Sequence, residues 1–219
     1  MTMDIASTIQ MLSIAAMPVV LAITLHEAAH GYAARYFGDP TAWLAGRISL
    51  NPLRHIEWFG TILLPILLYL INSPFLFGWA KPVPVDFGRL RHPKRDMLWV
   101  AAAGPAVNLL MALGWAALLK FDTLIPLNDF SHPLALMCQV GVGINLALMA
   151  LNLIPLPPLD GGRIAVSLLP WSLAIRFARL ERWGFFILLA LMYFDVLDVT
   201  VWPLVSWLKH FILSLFSLN

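Results

Sequence analysis

The sequence predicts an all-α polytopic membrane protein, and three observations carry that prediction. Apolar residues fill 60% of the 219 positions and charged residues only 12%, whereas about a quarter of a soluble domain is charged. The mean hydropathy is +0.81. The apolar residues gather into runs long enough to cross hydrocarbon, separated by stretches rich in Pro, Gly and Arg. At this length residues 1–219 form one domain, with no room for a second large one. The net charge of +2 lies mostly in connecting segments and is too small to suggest a nucleic-acid partner. Cys138 is the only cysteine, which excludes an internal disulfide and a cysteine-based metal site. The N-terminus lacks a basic region and a small-residue cleavage site, so its apolar run reads as a retained span rather than a signal peptide.

The first run, Ile9 to Tyr36, is stopped by Gly38-Asp39-Pro40, because Pro40 cannot continue a helix and disfavours helix at Asp39. Trp43 to Leu50 is short, interrupted by Gly46 and Arg47 and closed by Asn51-Pro52; it reads as a β-ribbon segment. Phe59 to Ile71 holds about 13 residues around Pro65, whereas a span needs about 20, so it reads as re-entrant or interfacial. Lys81-Pro82-Val83-Pro84-Val85 reads as extended chain. Met97 to Leu119 and Leu134 to Ile154 are long enough to span. Trp183 to Phe194 is short for a span, and Val199 to Leu218 is interrupted by Lys209-His210. Trp43, Trp58, Trp79, Trp99, Trp183 and Trp202 lie near these boundaries, as an interfacial aromatic belt requires.

Cationic residues orient the bundle. With Phe59–Ile71 re-entrant, one face receives Arg35, Arg47, Arg54, Lys81, Arg89, Arg91, Lys94 and Arg95, joined by Arg163, Arg176, Arg179 and Arg182. The other face holds Lys120, Asp122, Asp129, Asp195 and Asp198. The positive-inside rule makes the basic face cytoplasmic, with the N-terminus outside. A full crossing by Phe59–Ile71 would weaken this bias.

Inside the first run stands His26-Glu27-Ala28-Ala29-His30, preceded from Ile14 to Leu25 by a single polar residue, Thr24. Ionisable groups at such depth are functional by default. Positions i and i+4 share a helix face, so both imidazoles can reach one metal ion. Glu27 lies about 100° around the helix, where its carboxylate can meet a metal-bound water as general base. The competing reading is two core histidines satisfied by backbone carbonyls. A second cluster reads Asn152-Leu153-Ile154-Pro155-Leu156-Pro157-Pro158-Leu159-Asp160-Gly161-Gly162-Arg163. Its prolines break a helix where it leaves the membrane, and two glycines after Asp160 permit close backbone approach. One full span between the helices makes 9–36 and 134–154 parallel, bringing both clusters to the cytoplasmic end. Asp160 is then a third ligand to an ion held by His26 and His30; taken alone it would read as a cap or turn residue.

With both clusters in hand the chain resembles the site-2 proteases, intramembrane zinc metallopeptidases. The family's His-Glu-x-x-His appears at 26–30 and its Asn-x-x-Pro…Asp-Gly as Asn152…Pro155…Asp160-Gly161. Gly104-Pro105-Ala106-Val107-Asn108 is similar to the start of the family's intervening core helix. The stretches from Gly46 to Pro52 and from Gly78 to Val85 look like a compact prokaryotic branch without a PDZ domain. The resemblance covers about residues 9–165. It implies a three-helix catalytic core there, with additional helices over about 166–219. It also implies one Zn²⁺ per chain on His26, His30 and Asp160, with Glu27 as catalytic base. Asn152 would be a donor to the oxyanion, or else an amide bridging helices.

The expected function is hydrolysis of peptide bonds in or near transmembrane segments of other membrane proteins. The expected site faces the cytoplasm in the plasma (inner) membrane of a prokaryote, among lipid and transmembrane substrates. Water would enter near Pro155–Gly162, and segments 43–50 and 81–87 would offer strand edges to an unwound substrate or simply anchor loops. Two other classes stay open: a transporter using the buried His and Asp, and an inactive zinc-containing adaptor. Glu27 speaks against the adaptor and the lack of paired broken-helix repeats against the transporter. His55, His92, His132 and His210 read as loop or interfacial residues.

Overall fold

The computed structural model describes residues 5–70, 78–126 and 128–218. Helix α1 (Ile5–Tyr36) is followed by the single turn α2 (Thr41–Leu44). A π-helical turn, Trp58–Leu63, leads into α3 (Leu64–Leu70). The long helices α4 (Pro93–Asp122) and α5 (Ser131–Asn152) come next. After them stand α6 (Asp160–Leu168), α7 (Trp171–Ala178), α8 (Glu181–Tyr193) and α9 (Val196–Leu215). Among the described residues four helices are long and apolar enough to cross a membrane: α1 over Ile9–Tyr36, α4, α5 and α9. The protein is therefore an integral multi-pass membrane protein. Lys209-His210 does not interrupt α9, because His210 Nδ1 lies 2.7 Å from Ser206 O one turn back. The helix thus satisfies that polar group internally, as a lipid environment demands.

Helices α1, α4 and α5 form the centre, with α4 antiparallel to both neighbours. As α1 advances from Ala22 to His30 its partners on α4 recede from Asn108 to Val100. Between α4 and α5, Asn108 meets Asn145 and Trp115 meets Gly141. Gly141 sets the approach of those two helices, since a Cβ there would fall 2.4 Å from Trp115 Cγ. Away from the polar contacts the core is apolar. Ala112, Trp115 and Ala116 of α4 pack with Cys138, Val142 and Leu146 of α5, and α9 closes the cluster with Val201, Val205 and Ile212.

The end of α1 is locked to the chain that enters α4. Gly38 adopts φ 111°, and the buried Asp39 accepts from Thr41 N at 2.9 Å, Thr41 Oγ1 at 2.5 Å and Asp86 N at 2.7 Å. Trp43 and Leu44 end α2, so the ribbon expected from Trp43 is helical at its start, and no β-strand occurs among the described residues. Residues 47–49 and 78–86 form neither helix nor strand and are not paired as a ladder. They are joined instead through the Arg47 guanidinium, which donates to Lys81 O at 3.0 Å and Pro82 O at 3.4 Å.

Of Phe59–Ile71, expected to be re-entrant, residues 59–70 belong to the π-helical turn and α3, and residues 71–77 lie outside the described residues. On either side the chain meets itself. Trp79 N–H donates to Gly60 O at 3.1 Å, Thr61 Oγ1 to Trp79 O at 2.7 Å, and Lys81 N–H to His55 O at 2.8 Å.

Candidate metal centre

Three spanning helices and one short one converge at the level of His26 and His30. The i, i+4 spacing stacks the two imidazoles on the face of α1 that packs against α4. Gly104 lies beneath them. A Cβ there would stand 2.5 Å from His30 Nε2 and 2.7 Å from His26 Nε2, so only glycine leaves the rings this close to the α4 backbone.

Asp160 arrives from the other side as the first residue of α6. The chain from Leu153 to Pro157 folds back over the start of that helix. Gly161 and Gly162 make this possible, since their Cβ atoms would lie 2.2 Å from Leu153 O and from Pro157 N. The glycines therefore bring the Asp160 carboxylate to α1 by letting backbone rest on backbone.

The three candidate ligand atoms form a near-equilateral triangle. His26 Nε2 and His30 Nε2 are 3.1 Å apart, and Asp160 Oδ2 lies 3.2 Å from the first and 3.3 Å from the second. Zinc–nitrogen bonds of about 2.05 Å give a tetrahedron edge of about 3.3 Å, so the triangle fits one face of a zinc tetrahedron. His26 and Asp160 are buried, and the His30 side chain is 12% exposed. Val100 O lies 2.7 Å from His30 Nδ1 and can only accept, so that nitrogen carries the proton and Nε2 turns a lone pair inward. Asp160 Oδ2 has no hydrogen-bond donor despite being buried. Converging lone pairs around an anionic oxygen repel one another unless a cation lies between them. Among the described residues this is the one group of three or more His, Cys, Asp or Glu side chains able to hold a metal ion.

Glu27 follows His26 on α1 and is half-buried. Its Oε2 accepts a 2.7 Å hydrogen bond from Val83 N–H, in the irregular segment that precedes α4. Val83 is buried, and its side chain with that of Ile48 covers Gly31 one turn further along α1. The segment expected to offer a free edge at 81–87 thus has its one central donor engaged by Glu27, while Pro82 and Pro84 have none.

Asn152 does not join this group. Its Nδ2 donates to Leu148 O at 3.0 Å within α5, and it makes no hydrogen bond to the histidines or Asp160. The amides at the centre are Asn108 of α4, whose Oδ1 lies 2.6 Å from His26 Nδ1, and Asn145 of α5 behind it. Asn108 had been noticed only as part of a helix-start pattern, and Asn145 not at all. The signal that points to them is a carboxamide in the middle of an apolar span, a group that needs partners there as a charge does.

The chain is similar to known proteins over most of its length. The family model described as Peptidase family M50 matches residues 125–194, which run from the approach to α5 to the end of α8 and include Asp160. YwhC of Bacillus subtilis, a candidate zinc metalloprotease by name, is 36% identical over 202 residues, covering 91% of this chain and 89% of its own. A candidate zinc metalloprotease of Mycolicibacterium smegmatis is 27% identical over 197 residues, or 88% of this chain and 71% of its own. A similarly named protein of Mycobacterium tuberculosis is 31% identical over 148 residues, or 65% and 52%. No solved structure matches the chain.

Proposed function

The chain belongs to peptidase family M50, the site-2 protease family, and from that premise we propose that it is an intramembrane zinc endopeptidase. His26, His30 and Asp160 hold the ion and Glu27 serves as general base. The observation that carries this reading is the 3.1–3.3 Å triangle of ligand atoms one residue from a carboxylate. A site built only to hold zinc needs no adjacent base. Bound zinc would supply a polarised water and a Lewis acid for the scissile carbonyl.

The chain's own groups do the rest. Val83 N–H fixes Glu27 Oε2, and Oε1 remains to take the proton of the attacking water and return it to the leaving amine. The close packing of Gly104, Gly161 and Gly162 keeps the ligands in place through this exchange. The broken chain over Pro155–Gly162 lies beside Asp160 and is the entry for water, since irregular backbone within a membrane lines cavities. The substrate is a transmembrane segment unwound into extended form, because a helical peptide bond is enclosed by its own hydrogen bonds.

Phe59–Ile71 is re-entrant, entering the membrane and returning to the cytoplasmic face of a prokaryotic plasma membrane, with Arg54 and Lys81 on that side. The contacts of Lys81 with His55 and of Trp79 with Gly60 support this, as does the cluster of cations around them. Single cysteines at positions 54 and 81 in a Cys138→Ser background should both label with an impermeant thiol reagent from the cytoplasmic side alone. Labelling from opposite faces would overturn the re-entrant reading.

The enzymatic reading is tested with protein in detergent, a model transmembrane peptide and Glu27→Gln. Zinc content should match wild type while cleavage stops, because an amide cannot accept the proton. Turnover near wild type would remove Glu27 as base.

A further inference from the structure

Beyond the metal ligands and Glu27, a chain of buried amides joins α1, α4 and α5. Asn108 and Asn145 are fully buried in the span region. Asn145 Nδ2 donates to Gly141 O at 2.8 Å. Asn145 Oδ1 accepts from Asn108 Nδ2 at 2.9 Å, and Asn108 Nδ2 also reaches Ala22 O at 3.3 Å. Asn108 Oδ1 then lies 2.6 Å from His26 Nδ1.

The direction of every bond in this chain follows from its two anchors. Gly141 O and Ala22 O are backbone carbonyls and can only accept. Turning either amide over would set oxygen against oxygen at one anchor, or break the link between the two side chains. The orientation is therefore decided by the network. With it decided, Asn108 Oδ1 faces His26 as an acceptor, so the proton of the neutral ring resides on Nδ1. Nε2, the nitrogen in the ligand triangle, is left with its lone pair.

We propose that Asn108 and Asn145 are positioning residues that hold His26 in the tautomer able to bind zinc, Asn145 by fixing Asn108 and Asn108 by accepting from the ring. The inference rests on the zinc-site reading above and extends it to two side chains that touch neither ion nor substrate. His30 has the same service from Val100 O, a carbonyl of the same helix. Both rings are thus oriented from α4, one by backbone and one by a side chain that a third helix steadies. Partners of this kind commonly set metal affinity by 10–100-fold.

The test compares Asn108→Leu, Asn108→Asp and Asn145→Leu in purified full-length protein. Zinc affinity is read by competition with a chromophoric chelator and folding by thermal melting in detergent. Asn108→Leu should weaken zinc binding by about 10–100-fold. Asn108→Asp, whose carboxylate accepts the same ring proton, should retain zinc better than Asn108→Leu. Asn145→Leu should show a loss smaller than that of Asn108→Leu.

Zinc affinity equal to wild type in folded Asn108→Leu would overturn the relay while leaving the metal centre standing. A wild-type protein that binds no zinc would overturn both. Should Asn108→Leu fail to fold, the remaining pair decides: zinc held by Asn108→Asp and weakened in Asn145→Leu supports the relay. Equal affinities with lowered melting points would reduce the amides to packing.

Discussion

The two ends of the three-helix core share α1, α4 and α5 yet are held together by opposite means. At the Asp160 end the contacts are directional: His26 on Asn108, Asn108 on Asn145, His30 on Val100 O. At the other end Ala112, Trp115, Ala116, Leu119, Cys138 and Val142 form an apolar cluster, under the cover of α9. Apolar contact in hydrocarbon has no preferred direction and absorbs substitutions of similar volume. A hydrogen bond there has both direction and a penalty for being left unmade. Geometry is therefore stored at one end and cohesion at the other, and substitutions should sort accordingly.

The largest effect is expected from His30→Ala, which removes one corner of the ligand triangle. Elemental analysis should find zinc lost and cleavage absent, with the helical content of the bundle retained; zinc equal to wild type would take His30 out of the ligand set. Next comes Glu27→Gln, with zinc kept and cleavage reduced by at least the 10²–10⁴-fold typical of losing a general base. Gly104→Ala should follow. Its methyl would lie 2.5 Å from His30 Nε2, so the rings must move and zinc should weaken, whereas the same change at Gly114, which has open space, should leave affinity unaltered.

The apolar end should behave otherwise. Leu119→Ala, buried near the far end of α4, is expected to cost about 2–5 kcal/mol of stability, as large-to-small core changes do, with the zinc affinity of the folded protein unchanged. Loss of zinc in that variant would blur the division between the two ends. Cys138→Ala is the smallest, at about 1 kcal/mol or less, read as a shift in melting temperature.

How much of this was legible beforehand follows the same division. The apolar runs announced α1, α4 and α5, because burial in lipid is a property of composition. Their ends were harder. Helix α4 begins at Pro93, four residues before the apolar run, since proline suits a first helical turn. Asp96 then steadies that turn by accepting from His92 N at 2.7 Å. The stretch from Trp43 to Leu50 reads as a β-ribbon, whereas Asp39 bonds Thr41 N and starts a helical turn that takes in Trp43 and Leu44.

In the site, His26, Glu27, His30 and Asp160 were readable as spacing on a helix and as a charge beside glycines. Asn152 was chosen for its place in a motif, but it sits at the end of α5 and bonds its own helix. Asn108 and Asn145 depend on the register between antiparallel helices, which no single segment encodes.

The bond from Val83 to Glu27 has one more consequence. Pro82 and Pro84 flank Val83, and neither has an amide hydrogen. A slip of the chain by one residue in either direction would offer the carboxylate a nitrogen with nothing to give. The hold on Glu27 therefore moves only in steps of two residues: the nearest other amide hydrogens along the loop are those of Lys81 and Val85. The two oxygens of Glu27, equivalent in a free side chain, become chemically distinct in the folded protein, one bound to the scaffold and one left for water.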